Sequence, residues 1–380
     1  MPITNPQRRG HENKREIKWK IPDNAMKIMA LIPFLPVLAI ATAAHAGKLT
    51  LVAGGGSGGD GSPATQAKLE DPFSVCVDAA GNMFIAEASG RIVKVDAKGV
   101  ICTFAGEGGK GSGGDGGPAS KARFNFPHNL IVSPNGDLLV ADTLNNTVRS
   151  IDAKTGIVTT IVGTGEKGFS GDGGPAAKAQ FNGIYSIALD REGRRLYICD
   201  LGNLRVRAVD RKSGIVNTVA GNGRPGVPSD GNDAVSSPLS DPRAICVDSK
   251  GNLYILERGA NVLRIVSPNG KIHSVAGTGR NGFSGDDGPA IKAEMNGPKH
   301  LYPDMEDNIL ICDAENHVVR KYIPATDKMV RVAGTGTQGA TLDSDPLKTE
   351  LSRPHGVYVH TDRMIYIVDS FNGRILRIEP

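Results

Sequence analysis

Residues 126 to 152 read FPHNLIVSPNGDLLVADTLNNTVRSID. An apolar strand is followed by a turn at Gly136, a second strand that ends on Asp142, a turn with Asn145, and a third strand carrying Arg149. Apolar runs this short, rich in β-branched and aliphatic residues and bounded by Gly, Asn and Asp, read as antiparallel strands joined by tight turns. A fourth strand and a glycine-rich loop complete the unit. The unit recurs six times. Its second-strand acids are Glu87, Asp142, Asp200, Glu257, Asp313 and Asp369, spaced 55, 58, 57, 56 and 56 residues apart. A fixed period of this length over most of a chain is the signature of a repeat architecture. In the third repeat the strands are read as 185–189, 196–200, 205–209 and 215–220.

Four strands per repeat and six repeats make an all-β fold, a six-bladed β-propeller of four-stranded blades. The chain ends at Pro380 after the third strand of the sixth repeat, while Leu49 to Ala53 is a strand without a repeat of its own. The N-terminal strand is therefore expected to complete the sixth blade and close the ring, so that first and last blades cover each other's apolar faces. The linkers, such as GTGEKGFSGDGGPAAKAQF at 163–181, are expected to hold a short helical turn that points Ala176, Ala179 and Phe181 inward.

Composition agrees. There are 49 glycines in 380 residues without a Gly-X-Y period, and too many Val, Ile and Leu for a disordered chain. The formal charge is +4, but residues 1–46 hold seven basic and three acidic residues, which leaves 37 of each sign beyond them. Nucleic acid is excluded as a partner on that distribution. The basic segment leads into the apolar run Ile28 to Ile40 and the A-x-A site Ala44, His45, Ala46, the order of a secretory signal peptide. Met26 and Lys27 could begin that signal by themselves. The domains are then 1–46, extension and signal, and 47–380, the propeller. The mature chain is expected to be exported to the periplasm or beyond, monomeric, and without a membrane span.

The strings FPHNLIVSPNGDLLVADTLNNTVRSID, ICDLGNLRVRAVD, ICDAENHVVRKY and the GFSGDGGPA loops resemble the NHL-repeat family over residues 48 to 380. That family of six-bladed propellers occurs in bacterial secreted proteins, receptor-kinase sensor domains and teneurins. The resemblance implies the fold and leaves function open, because one propeller hosts enzymes, receptors and adhesion modules.

Candidate binding residues come from aligning the repeats just after the proline that opens strand one. The positions are Phe73, His128, Tyr185, Arg243, Lys299 and His355, with His300 one residue further on. Two aromatics, two permanent cations and the histidines at a channel mouth suit a carboxylate, sulfate or phosphate, and ring stacking. Alternatively these long side chains plug the channel. The amidating lyases of peptidyl-α-hydroxyglycines are also NHL propellers, and by that resemblance His128 and His355 would ligate zinc. The alternating third position is Arg243, which cannot ligate, and no tyrosine stands in the turns after strand two, which carry Leu144, Gly202, Gly259, Glu315 and Phe371. No cofactor is assigned. Zinc at the histidines, or calcium among Asp60, Asp115, Asp172, Asp230, Asp286 and Asp287, are the candidates. These loop aspartates are expected to accept backbone N–H groups ahead of each short helix. The second-strand acids are expected to pair with the bases seven positions later, Lys94, Arg149, Arg207, Arg264 and Arg320, with Asn145, Asn203, Asn316 and Asn372 in left-handed turns. The five cysteines read as small buried apolar residues. The leading functional reading is a scaffold that binds a protein or glycan, or an anionic small molecule, at the loop-rich face around the channel. The alternative is a metal-dependent lyase or hydrolase.

Overall fold

A computed structural model describes residues 47–380. The signal-peptide reading falls on residues 1–46 and lies outside the described residues. Six antiparallel sheets form the blades of a propeller. In blade two the strands are Pro127–Val132, Leu138–Asp142, Thr147–Ile151 and Val158–Val162. Blade three has Ile184–Leu189, Arg195–Asp200, Arg205–Asp210 and Ile215–Ala220, within one residue of the sequence reading. In blade six, Leu49–Gly54 pairs antiparallel with Arg374–Ile378, matching Leu49 to Ile378 and Leu51 to Leu376. The N-terminal strand thus closes the ring as expected. Among the described residues no helix is long and apolar enough to cross a membrane.

The core lies between blades. Alternate side chains of each strand face opposite neighbours, so six apolar clusters form, one at each junction. Between blades one and two, Cys76, Phe84 and Ile92 meet Leu130, Val140 and Ile151. The linkers supply the wedge: in the 3-10 turn at Ala176–Lys178 and just beyond it, Ala176, Ala179 and Phe181 are buried against blades two and three. Ala119, Ala122 and Phe124 do the same one junction earlier. Four cysteines are buried as expected, but Cys102 on a fourth strand is exposed, because its neighbours Ile101 and Ala105 face the core.

What holds each wedge differs from the sequence reading. All six second-strand acids are fully buried. Each accepts the backbone N–H of the residue three before the aligned ring position: Glu70 to Glu87 at 3.0 Å, Asn125 to Asp142 at 2.7 Å, Asn182 to Asp200 at 2.8 Å, Ser240 to Glu257 at 2.6 Å, Asn296 to Asp313 and Ser352 to Asp369 at 2.7 Å. The basic residue of strand three is pinned mainly to the linker of its own blade. Arg207 donates to Asp172 at 2.7 Å and to the carbonyls of Ser170 and Gln180. Arg149 reaches Asp115 at 2.6 Å, against 3.9 Å for Asp142. Direct pairing with the acid seven positions earlier occurs in blade five, where Arg320 reaches Asp313 at 3.4 Å, and more closely in blade four, where the longer Glu257 side chain brings its oxygen within 2.8 Å of Arg264. In blade one Glu87 pairs with Arg91 rather than Lys94, and in blade six Asp369 pairs with Arg374.

Two further readings are corrected. The loop aspartates do not cap the short helices; Asp115, Asp172 and Asp286 bind the strand-three arginine, and Asp60, Asp115, Asp172 and Asp230 bind the fourth strand. The asparagines are not left-handed. Asn145 and Asn203 sit inside 3-10 turns and donate their amides to the linker carbonyls of Gly111 and Gly168 and to the second-strand acid. The left-handed residue is the next one, Asn146 or Leu204, where the chain must reverse into strand three.

A buried guanidinium with carboxylate and carbonyl partners leaves several groups unpaired when it is removed. Arg207→Ala is therefore expected to destabilise the fold by about 3–5 kcal/mol. Arg205→Ala, which removes a half-buried guanidinium stacked on Phe169, should cost about 1 kcal/mol. Urea midpoints of the two variants check this.

Candidate functional site

The anchored N–H groups set the geometry of the channel face. The next residue in every blade is left-handed: Asp71, Phe126, Gly183, Asp241, Gly297 and Arg353, with φ of 47°, 60°, 76°, 55°, 55° and 48°. Four of these are not glycine, and five precede proline, where extended backbone is normally preferred. That kink turns the following strand into the channel and leaves the aligned residue at its mouth. Neighbouring blades latch the kinks: the N–H of Gly183 donates to Asn146 Oδ1 at 2.8 Å, that of Gly297 to Asn261 Oδ1 at 2.8 Å, and that of Arg353 to His317 Nδ1 at 3.1 Å.

The six aligned residues converge. Phe73 stacks on His128 with ring centroids 4.8 Å apart, and His128 meets Tyr185 edge-on at 5.1 Å. The Arg243 guanidinium lies 3.9 Å from the Tyr185 ring and donates to His128 Nε2 at 2.8 Å. Lys299 donates to His355 Nε2 and to Glu315, both at 3.2 Å, and His355 contacts Phe73 at 5.2 Å. All are buried except Tyr185, which is half-buried. Above the ring lies a second layer. Phe126 packs on Phe73 at 4.7 Å, and Phe371, half exposed, stacks on His355 under the Arg353 guanidinium. Leu144 stands exposed in the corresponding turn of blade two.

His300 is placed differently. It belongs to a belt one residue deeper, where a side chain on one blade accepts a backbone N–H from the next. Leu130 donates to Ser74 Oγ, Ile187 to Asn129 Oδ1, Ile245 to Ser186 Oγ and Val357 to His300 Nδ1. Ala244 and Gly356 occupy the other two positions and offer no acceptor. Gly356 is required there, because a Cβ would stand 2.6 Å from the carbonyl oxygen of Phe73. Beneath the belt the channel widens into a cavity of about 560 Å³ that runs to the opposite face, with Tyr302, Tyr358 and Leu130 among its walls and Asp190, Asp304 and Asp307 at its rim. No sequence signal marked it, because it is bounded by strand edges rather than by a motif.

A zinc ion does not fit the histidines. His128 and His355 each turn Nε2 toward a cation, their ring centroids are 6.3 Å apart, and Arg243 and Lys299 fill the space where a third ligand would stand. Among the described residues no three His, Cys, Asp or Glu side chains are grouped to hold a metal. Nε2 accepts from a cation only when the imidazole is neutral. Burial, with Arg243 and Lys299 adding to it, holds the pKa of His128 and His355 below the ordinary histidine value.

No protein-family model matches the chain. NHL repeat-containing protein 2 of Gallus gallus is 26% identical over 337 residues, covering 80% of this chain and 46% of that protein. The chain is an NHL-repeat β-propeller. Protein SUPPRESSOR OF QUENCHING 1, chloroplastic, of Arabidopsis thaliana is 27% identical over 269 residues, which is 68% of the NHL chain and 25% of the relative. The chain therefore spans less than half the length of these curated relatives. Among solved structures, an auxiliary nutrient binding protein from Bacteroides ovatus superposes with a TM-score of 0.64 at 15% identity, over 88% of this propeller and 76% of that chain.

Burial depresses the His300 pKa from 6.5 to about 4. Between those values the unfolded chain binds a proton that the folded NHL propeller refuses, so stability contributed by neutral His300 is complete above pH 6.5 and is lost as pH falls. The buried Asp142, Asp200 and Asp313, raised to about 6, act in the opposite sense between pH 6 and 3.8. His300→Asn should make the loss of stability between pH 7 and pH 5 about 2 kcal/mol smaller than in the unsubstituted chain. Denaturant titrations at the two pH values measure it.

Proposed function

We propose that this NHL propeller is a non-catalytic binding scaffold that takes a protein or glycan partner on the face carrying the ring, and that it acts after export. The observation that carries the reading is the set of left-handed residues in front of the ring. Holding Asp71, Phe126, Asp241 and Arg353 there costs roughly 1 kcal/mol each. That cost aims a layer in which Phe371 and Leu144 are exposed and Phe126 and Arg353 half-buried over a buried charged floor. Aromatic faces beside arginine are the side chains that dominate recognition of sugar rings and protein surfaces. The nutrient binding named for the Bacteroides neighbour accords with this use of a propeller face. Export rests on the basic, apolar and A-x-A order of residues 1–46. The metal-dependent lyase alternative gains no support from the histidine geometry.

Affinity electrophoresis through gels containing soluble polysaccharides, together with crosslinking from the ring face, tests the reading. Phe371→Ala with Leu144→Ala should weaken capture roughly tenfold or more while leaving the thermal midpoint within a few degrees of its original value. Retained capture in that variant would move the partner surface elsewhere.

A further inference from the structure

The ring does not balance its charge. Arg243, Lys299 and Arg353 converge on this face, and the carboxylate that pairs with Lys299 and Arg353 is the single one of Glu315, at 3.2 Å and 2.5 Å. Arg258 and Asp241 pair with each other at 2.7 Å and leave that sum unchanged. Asp71, the exposed kink residue of blade one, adds a carboxylate that pairs with none of these cations among the described residues, so one positive charge remains over. Arg243 is the acute case: only 7% of its surface is exposed, no carboxylate among the described residues pairs with it, and its Nε has no hydrogen-bond partner. A buried guanidinium in this condition is costly. Contrast Arg207, equally enclosed, which has a carboxylate and two carbonyls.

The ring also has one open junction. Contacts run from Lys299 through His355, Phe73, His128 and Tyr185 to Arg243, yet no hydrogen bond, ion pair or ring contact joins Arg243 to Lys299, its neighbour on the next blade. Like charges explain the gap. Lys299 has three N–H donors and uses two, on His355 and Glu315, so one remains without a protein partner.

We propose that the ring captures the carboxylate of an organic acid between Arg243 and Lys299. This rests on the ring face being the binding face and names the chemistry it selects. Two open donors match the two oxygens of a planar carboxylate, and guanidinium is the group that grips that plane. A tetrahedral phosphate would bring further oxygens into a buried setting with no donors to meet them. His128 and His355, their Nε2 atoms already accepting from the two cations, keep the cations oriented without neutralising them.

The test uses the full chain, with acetate as probe and inorganic phosphate and chloride as controls at constant ionic strength. Acetate should raise the thermal midpoint saturably, and calorimetry should show one site. In Arg243→Gln the acetate affinity should fall roughly tenfold or more, and without acetate this variant should be no less stable than the original chain, since an unpaired buried charge has been removed. Lys299→Gln should weaken acetate as well, which covers the case of a poorly folding first variant. Phe371→Ala with Leu144→Ala lies outside the ring and should keep the acetate response, so loss of partner capture there, with acetate binding intact, separates the two ideas. The proposal is overturned if the original chain shows no saturable acetate response, if Arg243→Gln binds acetate as well as before, or if phosphate binds more tightly than acetate.

Discussion

A carboxylate at the end of each second strand, shut away from water, is the constraint on which the propeller depends. Its oxygens take a backbone N–H that the linker could not otherwise satisfy, because the linker has just left one blade and has not yet begun the next strand. The asparagine three residues on, where one is present, draws the linker's middle to the same group. The arginine of strand three takes the linker's carbonyls from the other side. Remove the carboxylate and the apolar wedge between blades loses the contact that holds the linker's N–H just ahead of strand one. The channel residue follows three positions after the anchored N–H, so one interaction governs both packing and the binding face.

This division explains what could be read from the residues alone. The acids announce the period because each blade needs one at the same place, and the prolines announce the ring because they open strand one. Ring closure by the N-terminal strand was likewise legible from the strand missing at Pro380. The partners of the loop aspartates were not. Asp115 meets Arg149 across 34 residues, and a glycine-rich setting suggests only the local turn. The asparagine turns were misplaced by one residue, because asparagine tolerates left-handed backbone and yet here serves as a donor while Asn146 or Leu204 takes the strained position. The left-handed residues before proline have no sequence signature: Asp, Phe, Gly and Arg all occur there, and only the anchored N–H behind them makes the conformation necessary. His300 looked like a third imidazole for the ring, but a shift of one residue along a strand sends it to the belt.

Charge shows the same separation of scales. Beyond residue 46 the chain carries 37 groups of each sign, a balance that describes solubility and long-range attraction. Inside the ring, neutrality fails over a few ångströms, and the burial that neutralises the histidines also prevents water from relieving the arginine. Whole-chain neutrality therefore says nothing about whether a buried centre is in want of an anion.

The closing of blade six bears on how the chain reaches this structure. Leu49 pairs with Ile378, so the first strand to leave a ribosome waits for nearly the last. At ~5–20 residues per second that delay is roughly 15–65 s, during which 49–54 exists as an open edge with no partner. Blades one to five pair locally and can form in order, whereas the seam must bear the entropy of joining the two ends of the chain. The circle is consequently a late event, and the seam is where a ring otherwise made of equivalent joints retains a direction in time.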